Sequence, residues 1–433
     1  MLLIVIGLTV EIGGQIYAYL HPAYKVLPFA PDPFLGWRFI PNSEHIITGN
    51  HWYAREYSTT NKINSHGFRD FERKFKKNEN TIRIGLLGDS MIAAREVAFE
   101  KTAGQLLEKK LNKKLSHKTS KKYEVLNFGV PGYGVDQMVL NWKNYISKFN
   151  LDFVFLYLFE NNYLRTISAT WCSKGFFGIE DLGDRNCLFI RPVAIVKKHS
   201  PGKLTLEDHK KFVIDYLYIN LKDLEAIKPL LNSKNYKQTF QLLNELQLSI
   251  LNPSEYEKFV KEQNKYIEKK MNGERMIKKE KQWFLLPIFS EFITLLNNIQ
   301  KVKKSQLKIF NERQKKYAGY TQDFPSWTTT NLVNLKLVQY LNNWVNKSGG
   351  QLGLVDTFSF HAEPTPPLSY ASNLLNQLAL SGNISYIPLY KKLIKSREEG
   401  LPTIWKHDPH LNERGNKIFT DSMFDVLEKK FIQ

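Results

Sequence analysis

The run Leu151-Asp152-Phe153-Val154-Phe155-Leu156-Tyr157-Leu158-Phe159 holds one acid among eight apolar or aromatic residues. A stretch this short and this continuously apolar reads as a strand buried on both faces. Such strands occur almost only where helices cover both sides of a parallel sheet. The run therefore commits the chain to an α/β architecture. Two more segments fit the same sheet. Ile82-Arg83-Ile84-Gly85-Leu86-Leu87 stops at Gly88-Asp89-Ser90, and Tyr123-Glu124-Val125-Leu126-Asn127-Phe128 stops at Gly129-Val130-Pro131-Gly132-Tyr133-Gly134. Further on, Gln351 to Asp356 reads as another strand and Val333 to Val345 as a core helix. Open sheets of this kind place ligands outside the carboxyl ends of the strands, so the residues just past these runs are where chemistry is to be sought.

Four groups stand at such ends. Ser90, on a turn after a strand, is held out of the backbone and open to a substrate. Gly132 lies in a glycine-rich turn before a helix-like run from Gln137 to Phe149, where backbone N–H groups can face a ligand. Asn161, in Glu160-Asn161-Asn162, offers a side-chain amide to a developing oxyanion. Asp408 and His410, in Lys406-His407-Asp408-Pro409-His410, precede an amphipathic segment and offer a base with the carboxylate that orients it. A serine hydroxyl needs both to become a nucleophile near neutral pH. Singly, each has an ordinary explanation: Gly, Asp and Ser are common turn formers, and Asp408 could cap the last helix beside two solvated histidines. Jointly they form a nucleophile, two donors and a base–acid pair.

Together the blocks resemble those of the SGNH hydrolases, the GDSL esterase/lipase superfamily. The resemblance spans about residues 82–165 and 333–430. It implies a three-layer α/β/α fold with a flavodoxin-like parallel sheet, and a catalytic triad of Ser90, His410 and Asp408. It also implies an oxyanion hole from the Ser90 and Gly132 amides and the Asn161 side chain. No cofactor and no metal are implied. Two departures stand out. The third block, usually Gly-x-Asn-Asp, is Phe159-Glu160-Asn161-Asn162 here. The fifth, more often Asp-x-x-His, is Asp-x-His, with His407 where the usual acid falls. Alternation along an extended strand would place Asp408 and His410 on one side, although Pro409 between them argues against regular strand geometry. Upstream, Pro31-Asp32-Pro33-Phe34-Leu35-Gly36-Trp37-Arg38 and Asn64-Ser65-His66-Gly67-Phe68-Arg69-Asp70 are similar to the segment preceding Gly-Asp-Ser in envelope-associated SGNH proteins. Those typically begin with one membrane segment and often accompany polysaccharide assembly.

The formal net charge of +19 invites a nucleic-acid partner, but the lysines are spread along helix-like segments with no zinc-finger spacing and no phosphate loop. We expect no nucleic acid. At 433 residues, with 42% hydrophobic and 13% aromatic residues, the chain exceeds one typical domain and can bury a large core. Residues 1–20 are largely apolar and just long enough to cross a bilayer as a helix. Against that stand Glu11 in mid-segment, the lack of a basic flank and the lack of a clear signal-peptide cleavage site. The expectation is a membrane anchor over 1–24, with an amphipathic helix packed on the domain as the alternative. A membrane-proximal extension follows over 25–78, then the hydrolase domain over 79–433 on the extracytoplasmic face (the alternative being cytoplasmic). The glycine-free, lysine-rich stretch after Gly202 predicts a helical insertion at about 200–332, with helical periodicity in Phe212-Val213-Ile214-Asp215-Tyr216-Leu217-Tyr218. Cys172 and Cys187, the only cysteines, lack His neighbours that would suggest zinc, and would close a short loop as a disulfide in an oxidising compartment. The expected activity is acyl transfer from an ester, an acylated carbohydrate among the candidates. The alternative is a non-catalytic polysaccharide-binding or assembly protein that keeps the fold.

Overall fold

Helix α1 (Leu2–Leu20) opens the chain, and two antiparallel hairpins follow: β1 (Phe29–Asp32) with β2 (Gly36–Phe39), and β3 (Glu44–Thr48) with β4 (Ser58–Lys62). The structure is a computed structural model that describes residues 2–20, 28–32, 34–49, 56–166, 170–172, 187–190, 193–196, 214–217, 325–358 and 366–432. Behind the hairpins lies a five-stranded sheet of β5 (Thr81–Leu87), β6 (Lys122–Asn127), β7 (Phe153–Leu158), β8 (Gln351–Asp356) and β9 (Ser385–Ile387). Its order is β6-β5-β7-β8-β9 and every pairing is parallel. The chain leaves β5 for one edge, then returns to its other side with β7, so the strand order reverses around β5. That reversal opens the crevice in which open α/β sheets hold their ligands.

Alternation along the strands sorts side chains onto two apolar faces, as a doubly covered sheet requires. Phe153, Phe155 and Tyr157 face one layer, with α3 (Ala103–Lys114) through Leu107 and Leu111. Val154, Leu156 and Leu158 face the other, with Val139 and Trp142 of α4 (Val135–Asn144). Leu337, Val338 and Leu341 of α6 (Pro325–Lys347) pack on that second face. The first face also takes Phe419, Met423 and Leu427 from α9 (Glu413–Ile432). The layers are thus helix, parallel sheet, helix, the three-layer α/β/α arrangement expected. Of the remaining helices, α2 (Ser90–Ala93) and α5 (Glu160–Arg165) follow β5 and β7 directly, while α7 (Pro366–Ser381) and α8 (Leu389–Glu398) flank β9.

Phe29, Leu35, Trp37 and Phe39 of the first hairpin are buried in the same apolar cluster as Leu156 and Val139. Helix α9 is fastened to α3 as well. Asn416 Oδ1 accepts the Ala103 amide at 3.0 Å, and Thr420 Oγ1 donates to the Ala103 carbonyl at 3.1 Å. That fastening sets α9, which follows the loop carrying Asp408 and His410, against the start of α3.

Two expectations change. Among the described residues no helix is long and apolar enough to cross a membrane, so the anchor expected over 1–24 has no support from the structure. Within α1, Glu11 is nearly buried and accepts a hydrogen bond from Gln15 Nε2 at 2.8 Å. The second change concerns Ile214–Leu217, expected to be helical, which is a strand paired antiparallel with Val193–Val196. The run around it is β-branched and aromatic, composition that suits a pleated surface at least as well as a helix. Most of the remaining insertion lies outside the described residues.

Candidate active site

Ser90 is the first residue of α2, a single turn entered directly from β5. Asp89 caps that turn through Oδ1, which accepts the Met91 amide at 3.1 Å. Gly88 is required by packing, since a Cβ there would come within 2.3 Å of Ile92 Cγ1. The turn ends at Ala94, whose φ of +47° is a left-handed conformation that costs a side-chain-bearing residue roughly 1–2 kcal/mol. Such strain persists only where the surroundings over-determine it. Here the buried Arg69 guanidinium does so, donating to the carbonyls of Ala93 at 3.1 Å, Ala94 at 2.6 Å and Val97 at 2.8 Å. Ser90 itself is half-buried, and its hydroxyl has no hydrogen-bond partner among the described residues.

Gly132 adopts φ +85°, a conformation open to glycine at no steric cost, in the turn between β6 and α4. The upstream hairpin braces that turn: Trp37 Nε1 donates to the Pro131 carbonyl at 2.9 Å, and the Tyr133 hydroxyl donates to the Trp37 carbonyl at 2.6 Å. At the end of β7 the two asparagines part company. Asn161 is exposed, with its amide unengaged among the described residues. Asn162 is fully buried and ties three strand ends together. Its Nδ2 donates to Asp89 Oδ2 at 3.1 Å and to the Tyr133 carbonyl at 3.0 Å, while its Oδ1 accepts the Phe159 amide at 2.9 Å. Arg165 adds a second contact, donating from Nη1 to Asp89 Oδ2 at 2.6 Å. The Ser90, Gly132 and Asn161 turns are thereby held as one unit by residues that are not themselves donor candidates.

On the loop before α9, Asp408 Oδ1 bonds His410 Nδ1 and also accepts the His410 amide at 3.0 Å. This is an Asx-type turn, in which a carboxylate closes on the backbone two residues ahead. It explains how Asp-x-His pairs acid and imidazole without strand alternation, with Pro409 inside the turn. Asp408 Oδ2 accepts the Tyr57 hydroxyl at 2.7 Å, and Glu56 accepts the amides of Lys406 at 2.6 Å and His407 at 2.7 Å. His407, which falls where the usual acid stands, thus serves through its backbone. With Nδ1 engaged, Nε2 is the His410 nitrogen without a hydrogen-bond partner among the described residues. No hydrogen bond joins it to Ser90.

Burial by itself favours the neutral His410 ring, but the negative charges of Glu96, Asp408 and Asp89 outweigh it and push the imidazole up to about 9. Burial would raise Asp408, yet bonds from His410 and Tyr57 hold it below the ordinary carboxylate range. Among the described residues no cluster of His, Cys, Asp and Glu could hold a metal ion. Sequence reasoning missed Glu96, Tyr57, Asn162 and Arg165. Only Asn162 left a trace there, as the residue standing where the third block usually has Asp.

Thr170–Cys172 pairs antiparallel with Cys187–Ile190, and the register sets Cys172 opposite Cys187. The pairing skips one residue of the second strand after Trp171 and resumes at Cys187, so the two cysteines remain cross-strand partners. We predict that these two form a disulfide in an oxidising compartment. Fourteen residues lie between them, so closing the loop would stabilise the fold by roughly 3 kcal/mol, less any strain. Peptide mapping without reductant checks this, and two free thiols in protein isolated from such a compartment would refute it.

No protein-family model and no curated protein sequence matches the chain. Among solved structures, an acetyl xylan esterase (AlAXEase) aligns over 80% of this chain and 100% of its own, at 15% identity and a TM-score of 0.32. The lipase/acylhydrolase from Enterococcus faecalis aligns over 81% of this chain and 96% of its own, at 8% identity and TM-score 0.34. A member of the lipolytic G-D-S-L family from Veillonella parvula aligns over 80% and 99%, at 10% identity and TM-score 0.35. These likenesses name other proteins; the helix, parallel sheet, helix layering of this chain rests on its own strand order and packing.

Proposed function

We propose that this protein is a serine esterase working through an acyl-enzyme on Ser90. The observation that carries the reading is the Asp408–His410 pair. A buried carboxylate fixes Nδ1, which leaves Nε2 as the nitrogen able to take a proton, on a loop whose imidazole lies 3.6 Å from Glu96 in the turn after α2. In this reading Ser90 Oγ attacks the ester carbonyl as its proton passes to His410 Nε2. The tetrahedral oxyanion is met by the Ser90 and Gly132 amides and the Asn161 Nδ2. As the intermediate collapses, His410 returns its proton to the leaving alcohol. Water then attacks the acyl-enzyme by the same route in reverse, or a sugar hydroxyl does so in acyl transfer. The substrate we favour is an O-acylated carbohydrate at the extracytoplasmic face. The upstream segment's resemblance to envelope-associated SGNH proteins supports that choice.

A screen across aryl esters of increasing acyl length and acetylated sugars tests the reading. Hydrolysis of acetyl esters is expected. Sugar binding without turnover on any ester would favour the non-catalytic alternative. The pH profile carries a further expectation. General base catalysis needs the neutral ring, and with His410 raised to about 9, roughly one site in a hundred is neutral at pH 7. The kcat/KM should therefore climb with pH and level off only above about 9. The same shift stabilises the fold below the ordinary imidazole value, a contribution lost as pH rises through 9. A profile already flat from pH 7 upward would contradict this assignment of the base.

A further inference from the structure

Asp408 is not the only carboxylate at the His410 ring. Glu96, in the turn that follows α2, is 3% exposed, and its Oε1 lies 3.6 Å from His410 Nδ1, the same nitrogen that Asp408 holds. That separation is too long for a hydrogen bond and short enough for strong attraction to a charged ring. Its Oε2 is buried with no hydrogen-bond partner among the described residues. A carboxylate in the interior is costly to keep uncompensated; Arg95 and Arg69 offset part of that cost for Glu96, and among the described residues the His410 ring is the basic group within ion-pair distance of it.

The backbone that presents Glu96 is also unusually fixed. The three carbonyls held by Arg69 lie on both sides of it, at Ala93, Ala94 and Val97, and Ala94 is held in a left-handed conformation. Asn61 Nδ2 donates to the carbonyl of Arg95, the residue just before Glu96.

We propose that Glu96 is a positioning residue for His410, a second buried carboxylate that stabilises the imidazolium and keeps the ring oriented when Asp408 is absent. The inference rests on reading His410 as the general base. The groups that bear on the ring come from every element around it. Among the described residues they are Asp408 on its own loop, Tyr57 acting through Asp408 from the upstream segment, Glu96 from the turn after α2, with Arg95 acting on Glu96 and Asp408, and Asp89 from the end of β5. The attraction of Glu96 for a charged ring adds to the hydrogen bond and charge of Asp408 and to the charge of Asp89. The other duty of Glu96 would be to balance Arg95 and Arg69, both buried beside it.

The test is the titration midpoint of the His410 ring, read by NMR in the full chain, together with the kcat/KM pH profile. An opposite charge this close typically moves a pKa by about 1–3 units. Glu96→Gln should lower the midpoint by at least one unit, carry the acid limb of kcat/KM down with it and leave KM little changed. Asp408→Ala should keep measurable turnover, and adding Glu96→Gln to it should reduce turnover to the level of Ser90→Ala. An unmoved midpoint in Glu96→Gln would overturn the proposal and leave Glu96 as a counter-charge to Arg95. If Glu96→Gln does not fold, Glu96→Asp keeps the charge but withdraws it. Its midpoint should then lie between the wild-type value and the ordinary imidazole value, and an unshifted one again overturns the proposal. A midpoint that moves while the rate profile does not would support the coupling and refute the esterase reading, so the two failures are separable.

Discussion

Ser90→Ala is expected to abolish ester hydrolysis while the melting temperature stays within a degree or two of wild type. Among the described residues the Ser90 hydroxyl makes no hydrogen bond, and the turn that carries it is capped by Asp89 and clamped by Arg69, so losing one oxygen removes no structural contact there. Chemically it removes the atom that forms the acyl-enzyme. In serine hydrolases the loss of nucleophile or base typically costs roughly 10⁴–10⁶ in kcat. His410→Ala should be about as severe, and the double variant no worse than either, because residues acting as a unit do not contribute additively. Initial rates with an aryl acetate, paired with thermal melts, check this. Near wild-type turnover in Ser90→Ala would mean that the chemistry lies elsewhere.

The second large effect separates two neighbours. Asn161→Ala should lower kcat by roughly 10²–10³ with little change in KM or stability, as for a donor that meets charge chiefly in the transition state. Asn162→Ala should act through the fold instead. It would leave the Phe159 amide without its acceptor, and would remove one donor each from the Tyr133 carbonyl and Asp89 Oδ2, all in a fully buried site. Each buried group left unsatisfied costs about 1–3 kcal/mol, so the melting temperature should fall by several degrees. A lowered kcat with an unchanged melting temperature at Asn162 would mean that the donor has been placed one residue out.

The sheet was legible because the physics behind it is local. Continuous apolar runs such as Leu151–Phe159 have no good alternative to a doubly covered strand, and the turn residues that end them mark where a site opens. Ser90, Gly132 and Asn161 stood out as candidates for the same reason, since each follows such a run, while Asp408 and His410 stood out only as an acid and an imidazole ahead of an amphipathic segment. What escaped is non-local. Tyr57 reaches Asp408 across 351 positions, and Trp37 reaches Pro131 across 94. No periodicity or spacing announces a bond of that kind. Glu96 was invisible because a lone acid after a short turn reads as solvated surface, and only folding shows it buried against an imidazole. Strand alternation does not suit Asp-x-His with Pro409 between the pair, and the Asx turn at Asp408 is the geometry that accommodates it. The helical reading of Ile214–Leu217 failed for a related reason. A short apolar run fits either period, and pairing with Val193–Val196 decides the matter.

The central claim is that Ser90 is an activated nucleophile, and covalent labelling tests it without knowledge of the natural substrate. The protein would be incubated with a fluorophosphonate at pH 9, where His410 is substantially neutral, then digested and mapped by mass spectrometry. The account predicts a single phosphonylated peptide carrying the adduct on Ser90, with labelling lost in His410→Ala. An adduct on another serine, or none on a folded protein, would contradict it.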